Sequence, residues 1–130
     1  MRRVLTAFVA MTCLLLVLAD FTPAQQPLTV SVGFRNQTNG SILVKGCTII
    51  NKLQRPGQLL QMKMKGDMAF DSAVPLGIRY ISVYDANQPA VVLLRDFPVA
   101  IQKRDQFFDI MPSPNNPKML VLVPATMPNQ

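Results

Sequence analysis

The sequence predicts an all-β protein, a small antiparallel β-sandwich behind an N-terminal signal peptide, on three observations. Past residue 28, apolar side chains recur with period two or in short runs, without helical spacing. Clusters of Gly, Pro, Asn and Asp interrupt those runs about every 8–12 residues, the rhythm of roughly seven or eight short strands in two sheets. Glu is absent, while Val, Ile, Leu, Thr, Phe and Tyr recur outside the leader, a composition suited to strands.

The leader has three parts. Arg2 and Arg3 supply a positive start, and residues 4–19 form an uncharged apolar stretch broken only by Thr6 and Thr12. Two small-residue cleavage frames follow, Val17-Leu18-Ala19 and Thr22-Pro23-Ala24. A spanning helix needs about 20 apolar residues, and this run stops short at Asp20. The expected organisation is a signal peptide over 1–24 and one β-sandwich domain over 25–130, exported to the periplasm or the extracellular space. Cys13 lies inside the apolar run behind Ala10-Met11-Thr12, which is no lipoprotein box. Only Cys47 remains in the mature chain, so no internal disulfide can form and the fold must rest on apolar packing.

Along the mature chain, residues 29–35 alternate cleanly, with Val30, Val32 and Phe34 on one face and Ser31, Gly33 and Arg35 on the other. The run 36–40 ends in Asn39-Gly40, a strong reversal signal. Residues 41–50 read as a second strand, with Gly46 marking a bulge or a close backbone approach. Gln54-Arg55-Pro56-Gly57 reads as the next turn, because Pro presets φ and Gly accepts a positive one. Residues 58–65 alternate again, placing Leu60, Met62 and Met64 on a common face. A short edge strand is expected over 68–74, then the most central strand over 78–84, apolar on both faces apart from Arg79 and Ser82. After the turn cluster 85–89 come a strand at 90–94, a separate short piece at 99–101, a strand at 106–111 and a last one at 119–123. A Greek-key arrangement of immunoglobulin or cupredoxin size is the most economical assembly of these pieces.

Composition narrows the chemistry. There is no His, so Ser–His and Cys–His nucleophile pairs are impossible and neutral-pH acid–base work loses its usual side chain. A hydrolytic enzyme of the glycosidase type would need a carboxylate pair. The candidates are Asp105 with Asp109 and Asp85 with Asp96, and each stands beside a turn, where Asp normally bonds its own backbone. Copper(I) carriage is a second possibility. Met62, Met64 and Met68 lie close in sequence, Cys47 could face them across a hairpin, and thioether and thiolate ligands select Cu(I). In size and compartment the chain is similar to small exported β-fold copper carriers, and it departs from them in having no His or Trp beside the sulfurs.

Charge is the most quantitative clue. Residues 21–66 carry six basic side chains and no acidic one, whereas residues 67–130 carry five basic and six acidic. The hairpin 45–65 is therefore expected to present a positive surface through Lys45, Lys52, Arg55, Lys63 and Lys65. Such a surface suits an anionic partner outside the cytoplasm: acidic polysaccharide, a membrane surface or an acidic protein. It also suits an edge strand blunted by Lys against aggregation. Nucleic acid is disfavoured, because no aromatic platform is interleaved with these cations. Two N-glycosylation triplets, Asn36-Gln37-Thr38 and Asn39-Gly40-Ser41, fall in the same expected turn. Arg79, Arg95 and Asp96 are expected to pair as an ion bridge that fixes a corner of the fold. The functional expectation is a non-catalytic, cofactor-free binding or assembly module, with a copper(I) carrier next and an Asp-based hydrolase third.

Overall fold

Val30, Val32 and Phe34 do turn inward together, on β1 (Thr29–Asn36) of the computed structural model, which describes residues 28–128. The expected leader lies outside the described residues. Eight further strands follow: β2 (Ile42–Ile50), β3 (Leu53–Pro56), β4 (Leu60–Met62), β5 (Met68–Pro75), β6 (Gly77–Asp85), β7 (Val92–Ile101), β8 (Gln106–Pro112) and β9 (Leu120–Pro124). Among the described residues there is no helix, and so none long and apolar enough to cross a membrane.

The strands make two sheets in a sandwich-like arrangement. One has the order β5-β1-β8-β9; the other has the order β3-β2-β6-β7, with β4 paired to β2 beyond the end of β3. All pairings are antiparallel except β1 with β8, which run parallel from Val32↔Gln106 to Asn36↔Ile110. The expectation of a purely antiparallel fold is thus corrected to one mixed and one antiparallel sheet. A parallel pair needs a long crossover, and here the whole of β2 to β7 supplies it.

The core is the layer between the sheets. Val32, Phe34, Phe108, Ile110 and Leu122 come from the first sheet, and Ile42, Val44, Met62, Ile81 and Val83 from the second. Their alternation with exposed neighbours reflects the period-two geometry of strands. β6 lies between β2 and β7, with Ile81 and Val83 turned into the core and Tyr80, Ser82 and Tyr84 on the outer face.

Two expected turns are placed differently. The chain reverses at Asn51-Lys52 (φ 51° and 65°), a two-residue hairpin in the left-handed region, and residues 53–56 are strand paired to β2 from Ile50↔Leu53 to Cys47↔Pro56. That handedness matches the twist of the flanking strands, so it prevails over the Pro-Gly signal four residues on. The pieces at 90–94 and 99–101 are one strand, β7, whose register shifts at a bulge where Asp96 takes a positive φ of 46°. Asp96 is latched there to Ser82, donating its N–H to Ser82 Oγ (3.0 Å) and accepting from that hydroxyl (3.2 Å).

One corner is closed by charge. Arg79, inward on β6, donates through Nη2 to Asp71 Oδ2 on β5 at 2.8 Å and through Nη1 to Thr48 Oγ1 at 2.8 Å. The pair ties the two sheets together, and Gly46 and Gly57 leave the room it occupies: a Cβ on Gly46 would stand 2.6 Å from Arg79 Nε. The partner is Asp71, so the expected bridge with Asp96 is corrected; Arg95 is exposed. Asp71 is eight residues away in sequence but faces Arg79 from the opposite sheet, a juxtaposition no local pattern announces.

Candidate functional site

The five cations singled out in the sequence line one border of the second sheet. Lys52 sits in the β2–β3 turn, Arg55 on edge strand β3, and Lys63 and Lys65 just beyond β4. Lys45 projects from β2 beside the gap between β3 and β4, where Gly57 N–H donates to the Gly46 carbonyl at 2.9 Å. All five are exposed. The border follows the length of β2, about 26 Å at ~3.3 Å per residue. Neither of the two ion pairs among the described residues, Arg35–Asp109 and Arg79–Asp71, involves any of the five. Their charges are therefore not neutralised by an ion pair, although the Asp67 carboxylate lies at the Lys63 backbone: its Oδ2 accepts the N–H groups of Lys63 and Met64, both at 3.0 Å.

Beside this border a groove runs across the outer face of the second sheet. Period-two alternation turns Lys45, Cys47 and Ile49 outward on β2, while Val44, Gly46 and Thr48 turn inward. Register then sets Lys45 opposite Ser82 and Cys47 opposite Tyr80 on β6, with Gln54 and Pro56 of β3 flanking Ile49 and Cys47. Together with Tyr84 and Asp96 these residues line an open groove of about 490 Å³. Two half-exposed tyrosines, with a Lys between them on the neighbouring strand, give the groove aromatic faces, hydroxyl groups and a cation. Tyr is suited to such surfaces because its ring offers apolar area and its hydroxyl a hydrogen bond. Tyr80, Ser82 and Tyr84 stand outside the site residues named from the sequence; their common outward face is legible in the spacing 80, 82, 84, but not what lies beside it.

The outer face of the first sheet is built differently. Arg35 and Asp109, neighbours in the β1–β8 register, form a two-point bridge (Nε–Oδ1 2.7 Å, Nη2–Oδ2 3.0 Å). The hydrogen bond to Asp109 raises the pKa of Arg35. That guanidinium lies 5.6 Å from the centroid of the Phe107 ring, and Phe70 and Phe107 meet over Gly33, whose missing Cβ gives them space.

The four sulfurs of the copper hypothesis are distributed as follows. Met62 is buried in the core at 1 % exposure, whereas Cys47 lies half-buried on the outer face of the same sheet. β4 ends at Met62, and Met64 in the following turn is 64 % exposed; Met68 begins β5 and is also exposed. The shared face expected for Met62 and Met64 is thus absent, because the Asp67 carboxylate curls the chain out of strand geometry at residue 63. The carboxylates each have a local or cross-strand partner. Asp105 Oδ1 accepts from Ser31 N–H (2.9 Å), Asp109 binds Arg35, Asp85 accepts from Asn87 N–H (2.9 Å), and Asp96 is held by Ser82.

Comparison of the chain with protein-family models, with curated proteins and with solved structures gives no match. Fold and site therefore define it by themselves: a two-sheet, all-β protein with one basic border and an adjoining aromatic groove.

Proposed function

We propose that the chain is an exported, non-catalytic β-sandwich module that binds or assembles with an anionic partner along the β3–β4 border of its second sheet. The observation that carries this reading is the position of Lys45, Lys52, Arg55, Lys63 and Lys65, five exposed cations on one border and outside both ion pairs. Charges gathered along one border, Lys45 on its outer face and Arg55 on the face of its partner Thr48, create a field that draws in an anionic surface. The groove supports the reading, since it puts Lys45 beside Tyr80 and Tyr84, where a partner steered by charge meets apolar contact. Repeated passage of the chain between the sheets supports the Greek-key form of the module.

The test is retention of the mature protein on a sulfated polysaccharide resin, with anionic and neutral lipid vesicles as separate arms. The variant K63E/K65E is expected to elute at clearly lower salt than the parent, with an unchanged far-UV circular dichroism spectrum. Retention should fall as salt rises, because exposed charges are screened beyond about 8 Å at physiological ionic strength. Equal retention of parent and variant in every arm would refute the reading.

A further inference from the structure

We infer that Asn39, and not Asn36, is the acceptor of an N-linked glycan, which would stand on the β1–β2 turn. Both residues head an acceptor triplet, and the fold separates them sharply. Asn36 is 0 % exposed. Its Nδ2, the atom a sugar would occupy, donates to the carbonyls of Gly40 (2.8 Å), Met64 (3.3 Å) and Met62 (3.4 Å). Its Oδ1 accepts from the N–H (2.9 Å) and the hydroxyl (2.7 Å) of Thr38. A glycan on Asn36 would have to fill space already packed and displace these bonds, so a chain carrying one there cannot adopt this fold.

Asn39 has the opposite environment. It is exposed, no hydrogen bond holds its side chain among the described residues, and a Cβ on the adjoining Gly40 would meet nothing within 4 Å. The bonds that bury Asn36 also fasten the loop, since the Gly40 carbonyl accepts from Asn36 while the Gly40 N–H donates to the Thr38 hydroxyl at 3.3 Å. The first triplet thereby serves as the clamp that presents the second. Acceptor sites require such an exposed loop. In the transfer, Asn39 Nδ2 bonds to the anomeric carbon of a lipid-linked oligosaccharide diphosphate. The carbon–oxygen bond to the diphosphate breaks, the lipid diphosphate leaves with the electron pair, and the amide gives up one N–H proton.

The experiment expresses the full chain in a eukaryotic secretory host, once with its own leader and once behind a host leader, and collects lumenal and secreted protein. A single mobility shift, removed by an amidase specific for N-glycans, is expected. N39Q and S41A should abolish it. Peptide mapping of the shifted protein should find the sugar on Asn39 and leave Asn36 unmodified. Unshifted protein from both leaders, a shift that survives N39Q, or sugar mapped to Asn36 in the secreted protein would each overturn the assignment.

Discussion

Replacing Asp71 with Asn removes the counter-charge of Arg79 while keeping nearly the same side-chain shape. The Arg79 and Asp71 side chains are 3 % and 9 % exposed and meet at 2.8 Å. Withdrawing one partner of such a pair leaves a charge in a medium that solvates it poorly, at a cost of about 3–5 kcal/mol. A domain of this size holds about 5–15 kcal/mol in total, so D71N should take away a large part of its stability. Near the unfolding midpoint 1 kcal/mol moves Tm by about 4–8 °C, and the expected drop is therefore at least ~12 °C. Urea unfolding, followed by far-UV circular dichroism, measures the effect directly as a lower midpoint at constant m-value. The double variant R79M/D71L removes both charges and should lose much less than R79M and D71L combined, because the damage in each single comes from the stranded charge. A D71N cost below about 1 kcal/mol, or strict additivity in the cycle, would refute an inter-sheet bridge that closes the corner.

Three other outcomes follow from the same geometry. N36A should cost about 1–3 kcal/mol in the same unfolding assay, since it strands the buried Thr38 N–H and takes a donor from the Gly40 and Met62 carbonyls. M62A should cost about 2–5 kcal/mol through a core cavity, whereas M64A should stay within about 0.5 kcal/mol because that side chain is exposed. K52G should be neutral or stabilising by up to about 1 kcal/mol, since Lys52 sits at φ 65° and glycine adopts that conformation at no steric cost; it should also lower polysaccharide retention slightly, separating the charge of Lys52 from its backbone role.

Much of the architecture was legible along the chain. The alternation at 29–35 places Val30, Val32 and Phe34 correctly inward, the apolar run at 78–84 becomes the central strand β6, and the loops after Asn36 and Asp85 fall where Asn, Gly and Pro cluster. These features are local: one half-buried face imposes period two, and a reversal demands residues that tolerate its dihedral angles. The hairpin at Asn51-Lys52 escaped because neither residue is glycine, although Asn tolerates the left-handed region. The continuity of β7 escaped because Asp96 and Pro98 look like breakers until an edge position and a bulge accommodate them.

The site divides the same way. Charge asymmetry was countable from composition, so five cations could be named before any pairing was known. That they share one border, that Lys45 adjoins Tyr80 and Tyr84, and that Arg79 answers Asp71 are long-range facts set by which strands become neighbours. Residue order dictates which face each side chain takes, because that depends only on the next residue along the strand. Packing the two sheets dictates who meets whom, because contacts across the core are chosen by the shape and burial of the whole layer.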